Sequence, residues 1–214
     1  MVIDPGVHTP EIDTFNNIAA MSPLPCTYHL PAMHGFESFP SDRGNVRGVI
    51  VLGSAASVHD RAPWQVTLEQ WLMPLIEGSV PVLGCCYGHQ MLAYMFGGEI
   101  GFVRNDQSKL KGVRRVEITE NDLWPSGTRS LIVTHAEMVR KLPPSMRTIA
   151  CSPEIAIDGL AHRFKPVFGF QSHPEATTAF LKGHEMLEHQ SVAVLSEGHD
   201  MVRSFVNMAA ARSV

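Results

Sequence analysis

The sequence predicts an α/β domain, with strands and helices alternating around a mainly parallel sheet and a small antiparallel insertion after the central helix. Three observations carry that expectation. Val80 to Leu83 is a short apolar run with β-branched Val80 and Val82, followed at once by glycine and a helix-like segment. Val46 to Leu52 is a near-continuous apolar run of the kind buried on both faces of a parallel sheet. From Gly98 to Ile118 the pattern turns to alternation, as in Val113-Arg114-Arg115-Val116-Glu117-Ile118, which suits half-exposed antiparallel strands.

The 214 residues suffice for one domain, 1–214, with a proper core. Hydrophobic residues make up 44% and charged residues 18%, the balance of an ordinary globular chain. A formal charge of −4 leaves no basic footprint for nucleic acid. No apolar run approaches membrane-spanning length. Met1-Val2-Ile3-Asp4-Pro5-Gly6 lacks the basic start and apolar core of a signal peptide, so a cytoplasmic location is expected. The four cysteines, Cys26, Cys85, Cys86 and Cys151, form no disulfide framework. Without a C-x-x-C partner or paired histidines, neither zinc nor another cofactor is expected. His59, His162, His184, His189 and His199 show no ligand spacing.

Taken in order, Met1 to Ile3 is a short apolar start that ends at the Asp4-Pro5-Gly6 turn. Thr9-Pro10-Glu11 reads as a helix entry with Thr9 as cap and Pro10 in the first turn, followed by Ile12, Phe15, Ile18 and Ala19 at helical spacing. Cys26 to Leu30 reads as a second strand, and residues 34–44 as loop. After the Val46–Leu52 strand come Gly53-Ser54-Ala55-Ala56-Ser57, small residues that let backbone approach a ligand. Pro63 to Ile76 predicts a helix whose Trp64, Leu68, Trp71, Leu72, Leu75 and Ile76 share one core face, with Pro74 disturbing the last turn. Leu131 to Val133 is a strand ending at Thr134-His135-Ala136-Glu137. Thr148 to Ser152 and Ile155 to Leu160 read as short strands. Val167 to Gln171 is a strand that delivers His173 and is ended by Pro174. Thr177 to Leu181 and Met201 to Ala211 are helical. The basic residues Arg104, Lys109, Lys111, Arg114 and Arg115 read as a solvated face, with a docking surface as the alternative.

The chemistry concentrates in Gly84-Cys85-Cys86-Tyr87-Gly88-His89-Gln90. Gly84 and Gly88 flank Cys86 two residues away on each side, the sulfur counterpart of the G-x-S-x-G elbow. A strand turning sharply into a helix forces the central residue into a strained conformation, and its near neighbours must lack side chains. The thiol then lies at a helix N-terminus, where partial positive charge favours the thiolate. Gln90 is one helical turn further on and faces the same mouth. Far downstream, His173-Pro174-Glu175 offers an imidazole base with its own orienting carboxylate.

Together these two segments resemble the class I, triad-type glutamine amidotransferases, over roughly Val46 to Leu181. The chain is most similar to stand-alone members like the glutaminase domain of GMP synthase, a group that includes γ-glutamyl peptidases. The resemblance implies a doubly wound sheet flanked by helices and a triad of Cys86 as nucleophile, His173 as acid/base and Glu175 as its orienter. It implies an oxyanion hole from the backbone N–H groups of Tyr87 and Ser54. It implies a grip on the glutamate moiety by Gly53, Gln90, Thr134, His135 and Ala136, and a buried, inert Cys85. The implied substrate is glutamine or another γ-glutamyl small molecule, hydrolysed through a glutamyl thioester. The implied partner is an ammonia-accepting synthase chain, because this sequence contains no ATP-binding motif of its own. A free-standing γ-glutamyl peptide hydrolase is the alternative, and a non-catalytic interaction protein on the same fold is a further one. Two positions depart from the family pattern. Gly53-Ser54-Ala55 stands where Gly-Gly-Pro is usual, which raises the question of whether Ser54 can take a glycine's backbone angle. Ala136 stands where a synthase-linked domain usually has glycine, which favours a substrate other than free glutamine.

Overall fold

The computed structural model describes residues 1–212; the last two residues of the expected 1–214 domain lie outside it. Its elements run in the order β1 (Val2–Ile3), α1 (Ile12–Met21), β2 (Tyr28–His29), α2 (Pro31–His34), β3 (Val49–Val51), α3 (Pro63–Glu77), β4 (Val82–Cys85), α4 (Tyr87–Met95), β5 (Glu99–Phe102), β6 (Leu110–Ile118), β7 (Gly127–His135), β8 (Glu137–Lys141), β9 (Met146–Cys151), β10 (Gly159–His162), β11 (Val167–Phe170), α5 (Thr178–Gly183) and α6 (Val192–Ala211).

A nine-stranded sheet in the order β2-β1-β3-β4-β11-β10-β9-β6-β7 forms the centre. β2, β1, β3, β4 and β11 are parallel neighbours, and β10, β9, β6 and β7 continue the sheet antiparallel. The antiparallel insertion expected after α4 is therefore largely fused edge-on to the parallel half. Only β5 and β8 make a separate two-stranded ribbon.

The parallel strands read as unbroken apolar runs because both faces are covered. Val49 and Val51 of β3 pack with Leu68, Leu72, Met91 and Leu92 of α3 and α4. Ile50 and Leu52 point the other way, into a second cluster with Ile18 of α1 and Val202 and Phe205 of α6. Alternation by two thus feeds two separate cores, so neither parity can be polar. The α3 face holds as expected, with Leu68, Trp71, Leu72, Leu75 and Ile76 buried, and the helix runs through Pro74 to Glu77. Gln65 is buried on the same helix, and Trp64 is half-buried.

Several boundaries differ from the sequence expectation. α1 starts at Ile12 with Glu11 at its N-cap, not at Thr9. The reason is tertiary. Asp4 accepts hydrogen bonds from the Gly6 N–H at 2.8 Å and the Glu11 N–H at 2.7 Å, which holds the intervening segment as a loop. The strand expected at Ile155 to Leu160 is Gly159–His162. α6 begins at Val192, a full nine residues before Met201. Among the described residues no helix is long and apolar enough to cross a membrane.

Candidate active site

The glycine-flanked elbow forms where β4 turns into α4. Cys86 occupies the N-cap of α4 at φ 49° and ψ −100°, a left-handed backbone that a non-glycine residue holds only at a cost. Gly84 and Gly88 make the turn possible. A Cβ on Gly84 would lie 2.4 Å from the Gly88 carbonyl carbon, and one on Gly88 would lie 2.4 Å from the Val51 carbonyl oxygen. The helix ends as the glycines suggest. Gly97, at φ 89°, donates to the Tyr94 carbonyl at 2.9 Å, and Gly98 donates to the Ala93 carbonyl at 2.8 Å, the paired bonds of a Schellman cap.

The Cys86 N–H donates to the Phe170 carbonyl at 2.8 Å, tying the elbow to β11. Its Sγ lies 3.9 Å from the Thr134 carbonyl and 3.8 Å from Gln171 Nε2. Beyond β11 the chain turns so that the His173 N–H donates to the Ile132 carbonyl at 2.7 Å. His173 Nδ1 bonds Glu175 Oε1 at 2.8 Å, and both side chains are buried. The ring packs against Phe180 with centroids 4.6 Å apart. Among the described residues His173 Nε2 has no hydrogen-bond partner. Gly53 lets the ring and Cys86 come together: a Cβ there would sit 2.7 Å from His173 Cε1 and 3.6 Å from Cys86 Cβ. Burial alone would push the imidazole's pKa down, but the negative charges of Glu175 and Cys86 on its two sides outweigh it and raise it to about 10.

Of the two residues expected to supply oxyanion donors, Tyr87 is the first residue of α4, whose N–H has no intrahelical partner. Ser54 lines the cavity beside Cys86. Its hydroxyl donates to the Pro5 carbonyl at 2.7 Å and accepts from the Ala56 N–H at 3.1 Å. Ser54 is not among the residues with positive φ, so its loop demands no glycine angle at that position.

The residues expected to grip a glutamate moiety divide. Gly53 and Thr134 line the cavity with Cys86. Gln90, His135 and Ala136 do not. Gln90 Nε2 donates to the Glu137 carbonyl at 2.8 Å and to Gln171 Oε1 at 3.3 Å. His135 Nδ1 donates to the same Glu137 carbonyl at 2.8 Å, and His135 Nε2 accepts from Arg114 at 2.8 Å. Burial, then the Arg114 charge, lower the His135 pKa to about 3, so the ring is neutral. The Ala136 carbonyl accepts from the Val103 N–H at 2.8 Å, joining β7 to the β5–β8 ribbon.

The expected solvated basic face needs correction at Arg114. This side chain points inward and pairs with fully buried Asp158 at 2.7 Å. Val116 and Ile118 are buried on β6, so counting back by two from Ile118 puts Arg114 inside. Burial raises the Asp158 pKa, and Arg114 opposes the rise.

The cavity over Cys86 has a volume of about 330 Å³. Part of its wall was not anticipated: Asp4, His8, Glu11 and Thr14 from the segment after β1, and Lys109 and His184 from the far side. One signal was available for the first group, since the C-terminal ends of parallel strands are where sites assemble.

The family profile of glutamine amidotransferase class-I matches residues 26–194. The chain belongs to the class I glutamine amidotransferases. It is 33% identical over 134 residues to a glutamine-hydrolyzing GMP synthase subunit of Pyrococcus furiosus, covering 62% of this chain and 62% of that protein. It is 30% identical over 146 residues to the glutamine-hydrolyzing GMP synthase of Bacteroides fragilis, covering 65% of this chain and 27% of that one. The match thus takes in less than two thirds of either relative's length. A glutamine amidotransferase structure from Methylobacillus flagellatus shares the fold at TM-score 0.76 and 19% identity, covering 98% of this chain and 93% of that chain. The mostly parallel sheet between helices is thereby the α/β arrangement expected from the apolar runs, and the amidotransferase fold is the one the resemblance implied.

Proposed function

We propose that this amidotransferase-family chain hydrolyses a γ-glutamyl amide bond by covalent catalysis at Cys86. The observation that carries the reading is a buried imidazole held at Nδ1 by Glu175, with an unpartnered Nε2, beside a sulfur on a strained elbow. An imidazole with its pKa raised to about 10 is cationic at neutral pH and favours a thiolate next to it.

The Cys86 thiolate attacks the γ-carbonyl carbon, and the developing oxyanion takes hydrogen bonds from the N–H groups of Tyr87 and Ser54. One such donor contributes about 3 kcal/mol to the transition state. Collapse breaks the C–N bond, and the departing nitrogen takes the Nε2 proton of His173, leaving a glutamyl thioester and neutral imidazole. Water then gives a proton to Nε2 as its oxygen attacks the thioester. Expulsion of the thiolate yields glutamate, a proton to solvent and the original ion pair. Glu175 holds the ring in one orientation and stabilises its cation throughout.

The relatives named as glutamine-hydrolyzing GMP synthase subunits support the reading of a glutaminase that passes ammonia to a synthase partner. A free-standing γ-glutamyl hydrolase is the second reading. The cavity favours it, because at about 330 Å³ its wall includes Glu11, Lys109 and His184 in addition to Gly53 and Thr134. The test measures turnover of glutamine and of γ-glutamyl dipeptides, with Cys86→Ala as blank, and traps the acyl-enzyme for mass spectrometry. A glutamyl adduct on Cys86 alone is expected. Dipeptide cleavage without any partner assigns the free-standing hydrolase; glutamine turnover that requires an added synthase partner assigns the glutaminase. Equal, slow labelling of Cys26, Cys86 and Cys151 by a glutamine-like electrophile would leave only an interaction protein.

A further inference from the structure

One wall of the cavity carries polar groups that the reaction above does not use. Glu11 is half-buried at the start of α1 and lines the cavity with Cys86 and His173. It sits at the N-cap position, yet its side chain makes no capping hydrogen bond. Only its backbone N–H is engaged, by Asp4. Among the described residues its carboxylate has neither a hydrogen-bond donor nor an ion-pair partner. Thr14, one helical turn along, lines the same cavity at 1% exposure, and its hydroxyl is also unpartnered. The two side chains share a face of α1.

The neighbourhood makes this wall acidic. Asp4 is fully buried and already accepts from the Gly6 N–H, the Glu11 N–H and the Tyr28 hydroxyl, so it adds negative charge without a free acceptor. Around Glu11 stand Asp4 after β1, Tyr28 on β2, Asp13 on its own helix, and His173 and Glu175 after β11. His8, Lys109 and His184 also line the cavity, and among the described residues no ion pair joins any of them to Glu11. A carboxylate left half-buried without a donor either binds a proton or meets a cation. Burial, then Asp4, push its pKa up to about 7, which makes it an acceptor waiting for positive charge at neutral pH.

We infer that Glu11 and Thr14 form a specificity subsite for an ammonium group of the γ-glutamyl substrate, Glu11 taking the charge and Thr14 accepting a second hydrogen bond. This deepens the hydrolase reading and rests on it for the identity of the rest of the substrate. The ammonium has two sources in such a molecule: the α-ammonium of the glutamyl part, or a positive group on the leaving amine.

Binding without turnover tests the subsite. Calorimetry on Cys86→Ala compares two matched pairs. Glutamine against glutarate monoamide differs only in the α-ammonium. N-γ-glutamyl-1,4-diaminobutane against N-γ-glutamylbutylamine differs only in the distal one. One pair is expected to favour its ammonium member by about tenfold or more, and that pair identifies the source. Adding Glu11→Gln should abolish the preference, and Glu11→Asp, which keeps the charge, should restore part of it. At pH 7 the ammonium ligand should also release protons, read as a heat that depends on the buffer, and Glu11→Gln should abolish this release. Absence of preference in both pairs, a preference that survives Glu11→Gln, or no measurable binding of any of the four overturns the inference. Failure of the hydrolase reading looks different: ammonium selectivity persists while the wild-type protein turns nothing over and forms no acyl-Cys86.

Discussion

Replacing Arg114 by Met tests whether the buried pair behind the site holds it together. Arg114 and Asp158 are 2.7 Å apart, with side-chain exposures of 5% and 0%. Among the described residues the Asp158 Oδ2 has no hydrogen-bond partner, so Arg114→Met strips the carboxylate of its side-chain ion pair. Breaking a buried pair from one side costs about 3–5 kcal/mol, since the remaining charge stays desolvated. At about 2–4 °C per kcal/mol for a chain of this size, the midpoint should fall by about 6–20 °C. The sign with pH is fixed. Burial already raises the Asp158 pKa in the folded state, and losing Arg114 raises it further. A carboxyl with a raised folded pKa has its stability intact below the unfolded value of 3.8 and loses it as pH rises through the folded value. The penalty of Arg114→Met should therefore be larger at pH 8 than at pH 5. The double variant Arg114→Met/Asp158→Asn, which removes the charge as well, should recover at least half of the loss. Urea and thermal unfolding at both pH values decide the matter. A single variant within about 1 kcal/mol of wild type at pH 8, or a double variant as unstable as the single, would refute the reasoning.

Two further outcomes follow from the site. Glu175→Gln removes the carboxylate that helps hold His173 cationic, so the His173 pKa should fall from about 10. Alkylation of Cys86 by iodoacetamide at pH 7 should slow by about tenfold or more. The wild-type His173 contribution to stability, complete below pH 6.5, should fade as pH rises towards 10, and Glu175→Gln should weaken that dependence. Gly53→Ala would put a methyl 2.7 Å from His173 Cε1. The ring must shift, and turnover should drop about 100-fold while the unfolding midpoint changes by only a few degrees; unimpaired turnover would show that ring position at Gly53 is immaterial.

What the sequence disclosed, and what it hid, can be sorted by the range of the interaction. The elbow was legible because its cause is local: two glycines spaced about a cysteine serve the backbone of one turn. The parallel strands were legible as apolar runs, but with excess length. Val46 to Leu52 shortens to Val49–Val51, because ladder pairing also requires a neighbour at each position. Arg114 was misread through its basic neighbours, although the alternation of Val116 and Ile118 already assigned it to the inner face. The start of α1 was not legible at all. Thr9 and Pro10 form a good local entry signal, and it lost to Asp4, whose carboxylate engages the Glu11 N–H from the end of another element. The same contact places Glu11 at the cavity. Gln90 followed its expected helical position but spends its amide on Glu137 and Gln171, contacts that span more than forty residues.

The relative position of sulfur and imidazole depends on one strand pairing. β4 and β11 lie side by side and parallel, with Cys85 opposite Phe170. Directly after β4 comes Cys86, whose N–H is held by the Phe170 carbonyl, and directly after β11 comes Gln171, whose amide approaches the sulfur. His173 follows two residues later, fixed by its N–H to β7 at Ile132. Slipping β11 by one residue would turn each of its side chains to the other face, burying Gly169 where Phe170 packs and aiming a different atom at the thiol. Such a slip is opposed by the two cores at once, since Val167 belongs to one and Phe168 and Phe170 to the other. The strain at Cys86, of order 1–3 kcal/mol, is therefore borne by the same hydrophobic alternation that fixes the register. Core packing and the placement of Cys86 are one constraint here, which is why a cavity-forming change such as Phe170→Ala should lower turnover by more than its effect on the folded fraction explains.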